Sequence, residues 1–114
     1  MREVQERLIA LRAQAAESDE AFSWDLATDL VDFLMALSIT KRPAIFLLEN
    51  GNLQSVWRST DKEQVSLQFF GKNVVQFALF ALRQNKLMAR VAGQDSPVQV
   101  RTKITEHGCS HLIV

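Results

Sequence analysis

The sequence predicts an α+β fold, with two N-terminal helices, an antiparallel β-meander of about five strands and one C-terminal helix. Three observations carry this. Apolar residues recur at three- and four-residue spacing as far as Leu37. Beyond Pro43 the spacing falls to two, with turn residues between the runs. A Ser96-Pro97 pair and Gly108 then bracket a last helix. A period near 3.6 places side chains on one helix face, and a period of two places them on one strand face.

In the first helix, from Glu3 to about Ala16, Val4, Leu8, Leu11 and Ala15 form the inward side. Glu17-Ser18-Asp19-Glu20 ends it in a polar loop. Ser23 is placed to cap the second helix, because its hydroxyl accepts a free amide hydrogen of the first turn, and Asp25 suits the positive end of the helix dipole. Leu26, Leu30, Phe33, Leu34 and Leu37 make the core stripe of that helix, which should stop near Ser38.

Ala44–Glu49 reads as the first strand, closed by Asn50-Gly51, a pair that tolerates the positive φ of a tight hairpin. Leu53–Ser59 and Gln64–Phe70 alternate as the second and third strands, with Thr60-Asp61-Lys62-Glu63 between them. Gly71-Lys72-Asn73 turns into the fourth strand, Val74–Arg83. Both of its faces are apolar: Val74, Ala78, Phe80 and Leu82 on one, Val75, Phe77, Leu79 and Ala81 on the other. That predicts a central strand covered on both sides, the second cover being another part of the chain or a second copy. Gln84-Asn85 leads to a short fifth strand, Lys86–Val91. Pro97 suits the first helical position, Val100 and Ile104 should face inward, and Gly108 should close the helix after His107. The apolar tail Leu112-Ile113-Val114 should pack down or pair with a strand. Trp24 and Trp57 are expected as core anchors, and Phe69, Phe70, Phe77 and Phe80 as core.

A chain of 114 residues, 47% of them hydrophobic, can bury one core and fits one domain spanning residues 1–114. The thirteen acidic and thirteen basic residues cancel, yet unevenly. Residues 1–40 hold eight acids and three bases; residues 41–114 hold ten bases and five acids. Either the halves attract each other within the fold, or the basic half meets nucleic acid or an acidic protein. Cys109 is the only cysteine, which excludes an internal disulfide. The charged start of the chain has no signal-peptide pattern, and no apolar run approaches the roughly 20 residues that cross a bilayer. These features predict a cytoplasmic protein.

Little in the sequence carries chemistry. His107, Cys109 and His111 alternate, so an extended chain would aim all three one way, the residue types of a zinc site. The spacing fits no usual zinc pattern and no second ligand pair exists, so no metal and no cofactor are expected. The same residues are too close in sequence for a thiolate–imidazolium pair, and no catalytic constellation is found. Asp25, Asp29 and Asp32 share one face of the second helix, suited to a divalent cation, to basic groups on a partner or, more often, to solvent. Arg58, Arg83, Arg90, Arg101 and Lys103 are candidates for a basic patch on the sheet and last helix, without a recognisable nucleic-acid module.

Three segments carry a likeness. They are Phe22-Ser23-Trp24-Asp25 before a helix; Pro43 through Asn50-Gly51-Asn52-Leu53 to Trp57; and Leu67-Gln68-Phe69-Phe70-Gly71 with Val75-Gln76-Phe77. Together they resemble small uncharacterised bacterial proteins with a helix, a proline, an Asn-Gly hairpin, a strand tryptophan and a meander. The resemblance implies the α+β fold and accessory partners of co-encoded proteins, sometimes of a toxin–antitoxin kind. The leading functional expectation is a non-enzymatic protein-interaction module, homodimeric or docked on a co-encoded partner. Asp25, Asp29, Asp32, Arg58, Arg83 and Arg90 are its contact candidates. The alternative is a nucleic-acid-binding, antitoxin-like regulator; a metal-dependent enzyme ranks third.

Overall fold

The computed structural model describes residues 2–83 and 86–114. Helices α1 (Arg2–Glu17) and α2 (Trp24–Ala36) precede strands β1 (Ala44–Leu47), β2 (Leu53–Arg58), β3 (Gln64–Gly71), β4 (Val74–Leu82) and β5 (Met88–Asp95). Helices α3 (Pro97–Glu106) and α4 (Ser110–Ile113) follow. The strands form one antiparallel sheet in the order β1-β2-β3-β4-β5, a simple meander.

Local chemistry explains the element ends. Ser23 Oγ accepts the Leu26 N–H at 3.3 Å and Ser96 Oγ accepts the Gln99 N–H at 3.4 Å, so both serines cap as expected. Gly108, at φ 73°, turns the chain after the α3 cap His107. The β1–β2 loop departs from the expected two-residue turn. Gly51 alone is left-handed there (φ 85°), while Asn50 contributes through its side chain, whose Oδ1 accepts the Asn52 N–H at 3.0 Å. The β3–β4 turn has Lys72 and Asn73 both left-handed, the backbone pattern that matches strand twist.

All the helices lie on one face of the sheet. Val4, Leu8 and Leu11 of α1 and Leu26, Leu30, Phe33 and Leu34 of α2 join Ile45, Leu53, Trp57, Val65, Leu67, Phe69, Val75, Phe77 and Leu79 in one core. Val100 and Ile104 of α3 and Leu112 and Ile113 of α4 complete it, so the tail packs down as a helical turn. Phe33 and Phe69 meet edge to face with centroids 5.7 Å apart.

Several expectations are corrected here. The middle strand is β3, and β4 is buried on the helix face only. On its other face Ala78 and Phe80 are half-covered by cross-strand neighbours, and no second layer exists within the described chain. Strand β5 starts later and runs on to Asp95. At Gly93 a Cβ would come within 3.2 Å of the Phe77 ring, so glycine lets that ring lie against the strand. Trp57 is buried, its Nε1 donating to the Lys41 carbonyl at 2.8 Å, whereas Trp24 is exposed. Phe69 and Phe77 are core; Phe70 and Phe80 are not, because they point to the uncovered face or rim. The expected Gln84-Asn85 turn lies outside the described residues.

The two sheet edges differ. Strand β1 is short, and the Arg7 Nε donates to its Ile45 carbonyl at 3.1 Å, occupying an outward-facing acceptor. Strand β5 is paired to β4 at all eight of its positions without a bulge, and none of its residues is buried.

Candidate functional site

An exposed apolar patch lies on the helix pair. Along α2, Trp24, Thr28, Val31 and Met35 fall at spacings of four, three and four, on the side away from the sheet. Ile9 of α1 joins them. Ile9 is 60% exposed, Trp24 47% and Met35 66%. Gln5, Leu8, Ile9, Trp24, Ala27, Thr28 and Val31 line a shallow, mainly apolar groove of about 320 Å³. Trp24 is held in place: Phe22 meets it edge to face at 5.1 Å and the Arg12 guanidinium lies over its ring at 5.5 Å. A braced, exposed tryptophan within an apolar patch is the composition of a contact surface. The sequence reading missed it by assigning Trp24 to the core; the signal was a second apolar stripe beside the inward one.

Asp25, Asp29 and Asp32 border this patch on α2. Among the described residues no basic side chain lies within ion-pair distance of them, so the attraction expected between the two halves of the chain does not neutralise this row. The ion pairs Arg2–Glu6 and Glu63–His111 each stay within one half. Asp29 and Asp32 also line a cleft of about 300 Å³ with Phe33, Phe69, Asn73 and Val98. Burial, then the charges of Asp32 and Asp25, push the Asp29 carboxyl above the usual carboxylate range.

The C-terminal candidates do not converge. Cys109 is buried, with its thiol 3.7 Å from the His107 carbonyl, while the His111 Nε2 meets Glu63 Oε1 at 3.0 Å. Burial and then the Glu63 charge raise the thiol pKa, against the opposing charge of Arg83, so the thiolate needed for nucleophilic or metal chemistry is disfavoured. Gly108 reverses the chain between His107 and Cys109, which removes the extended geometry that would align the three. Among the described residues no group of three His, Cys, Asp or Glu side chains could hold a metal ion. Glu63 instead joins elements: its Oε2 accepts the Leu82 N–H at 3.1 Å while Oε1 holds His111. The Leu82 N–H, and then His111, lower its pKa against the opposing effect of burial.

These two carboxyls predict opposite pH slopes. Native Asp29 holds its proton better than the unfolded chain does. Its stabilising contribution is full below the ordinary carboxylate pKa and is lost as pH rises through the raised value. Asp29→Asn should therefore raise the thermal midpoint at neutral pH by roughly 1–3 °C, the gain vanishing near pH 3. Glu63 contributes above the ordinary carboxylate pKa and loses that contribution as pH falls through its lowered value. Glu63→Gln should lower the neutral midpoint by a similar amount and converge with wild type in acid. Thermal melts across the acid range read both; parallel curves for the two variants contradict the assignment.

The basic candidates are dispersed. Arg58 and Arg90 lie on the uncovered sheet face, Arg58 donating to Gln64 at 2.9 Å and Arg90 lying over the Phe80 ring at 5.9 Å. Arg101 turns the other way, toward the end of α2, where its Nε donates to the Leu37 carbonyl at 3.0 Å. Arg83 acts on Cys109 from the end of β4, and Lys103 sits on α3. They form no single patch. No helix among the described residues is long and apolar enough to cross a membrane.

Compared with family models, curated proteins and solved structures, the chain finds no match. The functional reading therefore rests on geometry.

Proposed function

We propose that this protein is a non-enzymatic protein-interaction module of the cytoplasm, working as a homodimer or as the accessory partner of a co-encoded protein through the α1/α2 surface. The observation that carries this is the apolar stripe of exposed Trp24 and Met35 with half-buried Val31 between them and exposed Ile9 beside it, on helices whose opposite sides already fill the core. A four-three-four seam packs well against another helix of the same spacing, so a second copy is the simplest complement. The acidic row Asp25, Asp29, Asp32 borders the seam and would set orientation more than affinity.

The test is light scattering of the eluting protein at high micromolar concentration, with a pull-down alongside. A dimer is expected that Ile9→Glu together with Met35→Glu converts to monomer without loss of helicity. Wild-type protein that stays monomeric and retains nothing in the pull-down removes the reading.

A second reading, an antitoxin-like regulator that binds nucleic acid, is favoured by one observation: Arg58 and Arg90 share the uncovered sheet face with the exposed Phe46. Gel shifts with its own promoter region should then weaken steeply with salt. No salt-sensitive shift removes that alternative.

A further inference from the structure

Strand β5 is a long edge guarded only by charge, and its surroundings select what can pair with it. The Arg83 N–H donates to the Leu87 carbonyl at 2.9 Å, whereas the Leu82 N–H turns to Glu63, on the β3 side. Antiparallel ladders alternate, so the backbone groups of Met88, Arg90, Ala92 and Gln94 point away from β4. Among the described residues no hydrogen bond from outside the sheet reaches them. Natural edges are usually shortened, bulged, charged, interrupted by proline or covered. Edge β1 has such devices in its length and in Arg7; β5 has neither a bulge nor a proline over its eight residues. Its helix-side row, Ala89, Val91 and Gly93, is half-buried and small, leaving apolar surface that one more strand would cover.

The charges around this edge favour an acidic occupant. Arg90 stands exposed on the uncovered face, Lys86 at the hairpin end, and Lys103 on α3, which packs over β4 and β5. Asp95, at the far end, is turned onto the Ser96 N–H at 2.8 Å, and Glu106 lies at the end of α3. A second copy of β5 fits poorly. On the face that holds Arg90 the strand carries Met88, Ala92 and Gln94 and no acid, so no antiparallel register gives Arg90 a carboxylate.

We propose that β5 accepts an extended segment of a partner protein as a sixth strand, with acidic side chains beside Arg90 alternating with small apolar ones over Ala89, Val91 and Gly93. This surface is separate from the α1/α2 seam, so the proposal goes beyond the homodimer reading and can fail or hold without it. Backbone hydrogen bonds supply affinity in such strand addition, and alternate side chains supply specificity.

The probe is a fluorescein-labelled eight-residue peptide alternating Glu and Val, compared with one alternating Lys and Val, read by anisotropy at low and high salt. The Glu peptide should bind at least about ten-fold tighter at low salt, the gap closing at high salt. Its binding should slow amide exchange at Arg90, Ala92 and Gln94. Arg90→Glu should reverse the preference. Ala92→Pro should abolish binding and leave the melt nearly unchanged, since that N–H points outward and the ladder to β4 does not use it. Binding without slowed exchange in β5 overturns the proposal, and so does equal binding of the two peptides. Dissociation of the homodimer by Ala92→Pro also overturns it, because a second copy would then own the edge. The exchange measurement on wild-type protein decides the matter even where a variant folds badly.

Discussion

Replacing Phe33 by alanine is expected to remove about 3–5 kcal/mol of folding free energy, a large part of the total for a domain of this size. Phe33 is 2% exposed and reaches from α2 into the sheet, where it meets Phe69 edge to face. The loss has two components: the apolar surface returned to water, and a cavity between helix and strand that the surrounding side chains cannot close. The same change removes an aromatic pair of the kind that contributes about 0.5–1.5 kcal/mol beyond its area. Urea titration should show a lower midpoint with the slope unchanged. A loss below about 1 kcal/mol would mean that α2 does not dock on the sheet as described.

The second large effect is expected almost at the end of the sequence. Ile113→Ala should cost about 2–4 kcal/mol, while Val114→Ala should stay within about 0.5 kcal/mol. Ile113 is fully buried and Val114 is 47% exposed, although they are neighbours. The backbone explains why the residue is anchored. The Ile113 carbonyl accepts the N–H groups of Thr40 and Lys41 at 2.9 and 3.0 Å, and the Lys41 carbonyl in turn accepts the Trp57 indole. Residue 113 thus ties the link between α2 and β1 to the core tryptophan. Paired urea curves for the two variants check the contrast; similar losses would mean that α4 is not docked.

How legible this molecule is in its sequence depends on the residue. The inward stripes of α1 and α2, the caps Ser23 and Ser96, and the alternation of β2 and β3 were readable because each rests on local spacing or local hydrogen bonding. Trp24 was not. A tryptophan beside a capped helix start looks the same in sequence whether it faces the sheet or solvent, and only the placement of α1 and Arg12 decides. The double apolar character of β4 was readable, but its meaning was not, since half-cover by Gln64, Arg90 and the other cross-strand neighbours substitutes for a second layer. The full length of β5 to Asp95 was not legible, since Ala92, Gly93 and Gln94 carry no strand signal of their own and the Phe77 ring that lies against Gly93 belongs to the neighbouring strand. The contact candidates fared unevenly. The aspartate row stays together on α2, while Arg58 and Arg90 part from Arg83, because neighbouring strand positions face opposite ways.

The Arg7 contact with the Ile45 carbonyl sets a limit on assembly. A sheet open at both flanks lets identical copies add one after another without end, which is how filaments grow. Here the short strand β1 already gives its Ile45 carbonyl to Arg7, so it offers a poorer row than β5. Endless addition of copies is thereby hindered, and Arg7→Ala is the change expected to ease it.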